Sequence, residues 1–262
     1  MLKFYNLYSG SSGNCSYIES DNTKILVDCG ASCKKTEEAL NLLDLSLSDI
    51  DAILITHEHS DHIQGLTTTS KKFHIPIYAN QKTLDAIKLD LSTTTLNAFK
   101  NNQNFEIKDL KIHPFDIPHD AADPCGFTFK TKNEKIGVAT DIGHMTNKII
   151  KQLEGSNFLL LEANYEPDML RYSKYPYILK QRIIGPNGHL SNDDSGLTIA
   201  SLLKSDVNNI MLGHLSKENN FPELAYQTVM NNLISQNSDI SNLKLTVADR
   251  DKPNDIIEIN NK

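Results

Sequence analysis

Residues 56–62 read Thr-His-Glu-His-Ser-Asp-His and directly follow the apolar run 52–55. Three of the nine histidines, His57, His59 and His62, fall within six positions together with Asp61. Extended backbone points residues two apart the same way, so His57 and His59 can present imidazoles to one ion. If a helix opens at Ser60 or Asp61, the Asp61 and His62 side chains swing away and can hold a second ion close by. Neutral imidazole suits Zn, Fe, Ni or Mn, and a carboxylate favours the harder members of that set. Two ions about 3.5–4 Å apart clamp a phosphoryl or carbonyl oxygen and lower the pKa of a water between them. The competing reading, a polar loop with coincidental histidines, leaves their alternation with acids unexplained.

The segments that must position this cluster alternate between strand and helix patterns. Residues 3–8, 16–18 and 24–27 read as short strands, broken by the turn-rich stretches "SGSSGN" and "SDNT". Residues 34–43 have helical spacing, 52–55 is a buried strand, and 76–79 is another strand. Asn80 caps a helix over 81–90. Strands follow at 105–117, 127–131, 136–139 and 158–161. Ser191 with Asp194 opens a helix over 192–204, and 223–235 is a further helix. Strands at 209–212, 243–247 and 256–259 close the chain. This order predicts sheets covered by helices, not a barrel or a bundle.

Composition narrows the class. A hydrophobic content of 39% with 23% charged residues over 262 residues suits one globular domain spanning 1–262. No window approaches the roughly eighteen apolar residues of a membrane span, so no membrane association is expected. The opening "MLKFYNLYSGSSGN" has no apolar leader pattern. Cys15, Cys29, Cys33 and Cys125 are too few and scattered for a disulfide framework, and Cys29 and Cys33 lack a second close pair for a thiolate zinc site. Reduced thiols and a cytoplasmic location are expected. A net charge of −7 argues against a protein coated in positive charge for DNA, but leaves room for a local basic groove.

"THEHSDH" resembles the HxHxDH signature of the metallo-β-lactamase superfamily. Other landmarks fall in that family's order: "ILVDCG", "FDIPHD", "GVATDIG" and "IMLGHLSKENN". The resemblance implies a four-layer αββα sandwich, an α/β fold with a dinuclear site at one sheet edge. It implies that His57, His59 and His119 hold one metal, that Asp61, His62 and His214 hold the other, and that Asp141 bridges them. Asp28 is then expected to brace the ligands from behind. Two divalent transition-metal ions follow, Zn or Mn, with Fe as a further option.

Absences select among the family's chemistries. No export signal points to a secreted β-lactamase, and a glutamate does not stand at His59 as in flavodiiron proteins. Only 72 residues lie between Asp141 and His214, too few for the domain that large RNA-cleaving members insert. "FLLLEANYE", "GHLSNDDSG" and "GHLSKENN" resemble the tRNA 3′-processing branch. With "SGSSGN" and "LKQRIIGPNGHLSN", they look more like the YycJ (WalJ) group of small exonuclease-like proteins. By that likeness Asp61, His189 and Glu162 are catalytic, His189 as proton donor to the leaving oxygen and Glu162 as the residue that positions it. The alternative for His189 is a cap on the helix that follows.

The stretch "RYSKYPYILKQR" interleaves Tyr172, Tyr175 and Tyr177 with Arg171, Lys174, Lys180 and Arg182, without an acid between Met169 and Asn192. Cations for phosphates with rings for unpaired bases make a single-strand path. A tyrosine face packed on the sheet is the equal alternative. Lys174 and Arg182, with Ser11 and Ser12 of the "SGSSGN" loop, are the candidate substrate contacts. His144 either lines the pocket or caps the next helix, His113 reads as a surface or packing residue of a strand, and His74 has no partner in sequence. The expected activity is a metal-dependent phosphodiesterase on nucleic acid, DNA more than RNA, in exonuclease mode. A glyoxalase-II-like thioester hydrolase and a non-catalytic nucleic-acid-binding module are the alternatives. The complete seven-ligand set weighs against the last.

Overall fold

The computed structural model describes residues 1–259. The chain opens with β1 (Leu2–Tyr8), β2 (Cys15–Glu19) and β3 (Lys24–Val27), then α1 (Cys33–Asn41) and β4 (Ala52–Leu54). Helices α2 (Ser60–Ile63) and α3 (Leu66–Phe73) precede β5 (Ile77–Asn80), α4 (Gln81–Ala86) and β6 (Leu96–Phe99). The second half runs β7 (Phe105–Ile107), β8 (Leu110–Asp116), β9 (Cys125–Lys130), β10 (Lys135–Ala139), α5 (Asn147–Leu153) and β11 (Phe158–Glu162). It continues through α6 (Pro167–Tyr172), α7 (Tyr177–Ile184), α8 (Asn192–Leu202), β12 (Asn209–Gly213), α9 (Pro222–Ser235) and β13 (Lys244–Val247). Finally β14 (Ile257–Ile259) returns beside β1, giving sheets ordered β14-β1-β2-β3-β4-β5-β6 and β13-β12-β11-β10-β9-β8-β7.

Why the layers stack this way is written in the strands. Their residues alternate between faces, and both faces are apolar. Phe158 and Leu160 of β11 point between the sheets, where Phe158 meets Phe4 of β1 with ring centroids 4.6 Å apart. Leu159 and Leu161 point outward to Ile199 of α8 and Val229 of α9 within the outer core. On the other sheet, Leu54 faces inward and Ile53 outward, the latter in a core shared with Leu40 of α1 and Leu66 of α3. The result is helix, sheet, sheet, helix. This is the α/β sandwich expected from the sequence.

Several boundaries moved for identifiable reasons. The strand expected over 105–117 is a hairpin, because Lys108 takes a left-handed φ of 50° between β7 and β8. The helix expected over 81–90 is capped by Asn80, whose Oδ1 accepts from Thr83 N, but ends at Ala86. The helix opening at Ser60 breaks before Gly65, where any side chain would meet the Ala31 carbonyl oxygen at 2.0 Å. Among the described residues, no helix is long and apolar enough to cross a membrane.

Candidate metal centre

β3, β4, β11 and β12 run toward one rim of the sandwich, where parallel pairings align β3 with β4 and β11 with β12. Asp28 follows β3, His57 follows β4, Asp141 follows β10, Glu162 ends β11 and His214 follows β12. Ligand sites form at such carboxyl ends because the loops leaving adjacent strands converge there. Asp28, Asp141 and His214 hold left-handed φ values of 62°, 61° and 55°. Non-glycine residues in that region carry strain on the order of 1 kcal/mol or more, and it collects at functional sites. Backbone bonds lock the rim: Asn14 N donates to Asp61 O at 2.8 Å and Cys29 N to His62 O at 2.8 Å. A side chain at Gly30 would collide with that same Asp61 carbonyl at 1.7 Å, so only glycine fits.

Seven side chains meet at this rim. One donor atom each from His57, His59 and His119 lies within 4.8 Å of the others, and the same holds for Asp61, His62 and His214. Asp141 lies between the two groups, with Oδ1 3.8 Å from His119 Nε2 and Oδ2 3.4 Å from His62 Nε2. Four of the five imidazoles are oriented from behind. Thr56 Oγ1 donates to Asp28, which leaves it to accept from His57 Nδ1 at 3.0 Å. His62 Nδ1 donates to Asp28 Oδ2 at 2.8 Å, His119 Nδ1 to the Gly188 carbonyl at 3.0 Å, and His214 Nδ1 to Glu162 Oε1 at 2.9 Å. Outer partners of this kind fix the tautomer that offers the other nitrogen to a metal.

At His57 and His214 that other nitrogen finds no partner in the protein. His57 Nε2, His214 Nε2 and Asp141 Oδ2 are buried and have no hydrogen-bond partner. A single such group costs roughly 1–3 kcal/mol, so three converging on one rim mark a place built for a cation. The donors, imidazole with carboxylate, fit divalent metal ions.

The two groups differ electrically. Burial pushes His57 and His119 below the usual imidazole pKa, aided at His57 by His62 and His119, so both are neutral. Burial opposes charge on His62 too, but Asp141, Asp28 and Asp61 outweigh it and hold the ring well above the usual range. At His214 the same burial is overcome by Asp141, Asp61 and Glu162, pushing the pKa up to about 10. Protons there supply the positive charge that a bound cation supplies, and cation binding expels them.

The surrounding cavity, about 220 Å³, is lined by Ser11, His59, Asp61, Asp141, Arg182 and His189 among others. His189 Nδ1 lies 2.8 Å from Glu162 Oε1, the oxygen that also receives His214. Burial opposes the Glu162 charge, but His189 and His214 hold its carboxyl below the usual range. Its second oxygen accepts from Ile142 N at 2.7 Å and Leu190 N at 3.0 Å. Arg182 reaches the cavity but pairs with Asp120. Ser12 instead lines a separate cavity with Lys35 and Arg250, and Lys174 is exposed and lines neither. His144 Nδ1 donates to the Pro186 carbonyl at 2.8 Å, steadying the loop that carries His189.

Sequence reasoning passed over three contributors. Thr56 joins Asp28 to two histidines, Asn14 Nδ2 lies 3.0 Å from His62 Nε2, and Asn164 Nδ2 donates to the His214 carbonyl at 2.8 Å. Only Asn14, closing the glycine-serine loop, carried a visible signal.

The pattern of the family described as "Beta-lactamase superfamily domain" matches residues 23–214. The chain belongs to the metallo-β-lactamase superfamily. Within that superfamily it is similar to Exodeoxyribonuclease YycJ of Bacillus anthracis, 37% identical over 87% of this chain and 88% of that one. Exodeoxyribonuclease WalJ of Streptococcus pneumoniae is 38% identical over 88% of each chain. The superfamily fold recurs in YhfI of Bacillus subtilis, with a TM-score of 0.71 over 97% of this chain and 100% of that one, at 14% identity.

Proposed function

We propose that the protein is a metal-dependent exonuclease acting on DNA, with two divalent ions, Zn or Mn, held by the seven rim residues. His57, His59 and His119 hold one ion, Asp61, His62 and His214 the other, and Asp141 serves both. Two such ions supply a hydroxide nucleophile and neutralise charge developing on the phosphoryl oxygens. The superfamily membership and the similarity to two exodeoxyribonucleases support the reading. Four unpaired, buried cysteines support a cytoplasmic setting.

The observation that carries the nuclease over a thioester hydrolase is the pairing of His189 with Glu162 at the edge of the metal cavity. With Nδ1 tied to Glu162, the Nε2 atom of His189 is the one left to meet a substrate. A sugar oxygen leaves phosphorus poorly without a proton, and an imidazolium held by a carboxylate delivers one. A thiolate leaves readily on its own, so a thioester hydrolase has no use for such a donor.

The test is incubation of the metal-loaded protein with end-labelled single- and double-stranded DNA and RNA, with S-lactoylglutathione in parallel. Stepwise shortening of DNA is the expected result. Turnover of the thioester with all nucleic acids intact would reject the nuclease reading.

A further inference from the structure

Beside the metal cavity lies a larger one, about 540 Å³, and Tyr175 forms part of the wall of both. The remaining wall comes from α6, α7 and Tyr165, just before α6. Tyr165, Tyr177, Leu170 and Ile184 make it ringed and aliphatic, while Arg171 and Lys180 make it cationic. Among the described residues, no acid lines it.

Helix α7 is unusual for a helix beside a core: none of its eight residues is buried. Tyr177 is 75% exposed and Ile178 83%. A helix ordinarily lays an apolar stripe against its neighbour. Here the helix is held largely by polar means, because Lys180 Nζ donates to the carbonyls of Arg171 at 2.8 Å and Ser173 at 2.7 Å. Those bonds fix the α6–α7 elbow and keep its rings available.

We infer that this cavity receives the unpaired base of the nucleotide adjoining the cleaved phosphodiester. The inference rests on the nuclease reading and deepens it: the substrate is a single-stranded or frayed end. Charge selects the occupant, since two cations without a lining acid face a phosphate chain and repel a basic partner. Shape agrees, because sites for small molecules run to about 300–1,000 Å³, a range the second cavity meets and the metal cavity alone does not. Chemistry agrees as well, because tyrosine rings stack on any base without regard to sequence. A base in a duplex is held by its partner and cannot turn into this wall.

The test uses metal-loaded protein and end-labelled single-stranded DNA whose terminal or penultimate residue, at either end, is an abasic analogue. Stacking on one base is worth roughly 5- to 150-fold, so the abasic end should be cleaved slower by that factor in kcat/KM. Tyr177→Ala should slow the intact end by a similar factor, and combining variant with abasic end should cost no more than either alone. Tyr177→Phe, which keeps the ring, should restore the intact rate. Equal cleavage of intact and abasic ends would overturn the pocket while leaving the nuclease reading standing. Absence of any nucleic-acid cleavage would overturn both. A dimer in solution that Ile178→Asp dissociates would assign the exposed face to a second copy, and would also overturn the base pocket.

Discussion

The rim cluster and the α6–α7 elbow, which border two cavities that share Tyr175, are built on opposite principles. At the rim, His57, His62 and His214 are buried, and three residues hold left-handed backbone at strand ends. At the elbow, Tyr172, Tyr177 and Ile178 are exposed, and the chain is steadied by Lys180. A reaction centre must place charge within tenths of an ångström, which packing and buried hydrogen bonds achieve. A surface that takes a flexible strand needs rings and cations free to meet it. Damage at the rim should therefore abolish chemistry on every substrate, whereas damage at the elbow should show only on polymers.

The largest effect belongs to Asp141. Asp141→Ala should lose both ions in elemental analysis and should fail on DNA and on small phosphodiesters alike, by more than the roughly 10–100-fold typical of an outer partner. His214→Ala should lose one ion. Retention of both ions in the Asp141 variant would remove the bridging assignment.

His189 stands at the boundary between the two regions, and its variant should split the substrates. His189→Ala should keep its metals and thermal stability yet lose about 10²–10⁴-fold on DNA. On a p-nitrophenyl phosphodiester, whose leaving group needs no proton, the rate should approach wild type. Equal slowing on both substrates would make His189 a phosphate contact.

Asp28 tests the rim from behind. Its carboxylate receives Thr56 N at 2.8 Å and His62 Nδ1 at 2.8 Å without lining the metal cavity. Asp28→Asn should weaken metal affinity about 10–100-fold, read by competition with a chelating dye. An unchanged affinity would show that strand geometry alone orients His62.

The same contrast decides what the sequence could show. His57, His59, Asp61 and His62 are local, so their alternation is visible in six consecutive residues. His119, Asp141 and His214 were found only through the resemblance, since the contacts joining them span 22 and 73 positions along the chain, and only topology closes such gaps. Glu162 was expected to serve His189, but its second bond to His214 needs two strand ends in register. The elbow helices went unread for a physical reason. Pro167 opens α6 and Pro176 precedes α7, and α7 buries nothing, so no apolar period marks it.

The smallest effect separates two cations of the elbow that the sequence treated alike. Arg182 lines the metal cavity and is paired with Asp120, whereas Lys174 is exposed and lines neither that cavity nor the larger one. A cation that meets a phosphate of single-stranded nucleic acid releases counterions, worth about 0.7 in the slope of log K against log salt. A strand running into the metal cavity must exchange Asp120 for a phosphate at Arg182 and can pass Lys174 at a distance. With a cleavage-resistant phosphorothioate oligonucleotide, Arg182→Ala should therefore flatten the salt dependence by about 0.7, and Lys174→Ala by clearly less. Both variants should keep the wild-type metal content, because neither residue touches a ligand atom. An equal or larger change at Lys174 would place the strand over the outer face of the elbow, and the cavity would then receive only the terminal nucleotide.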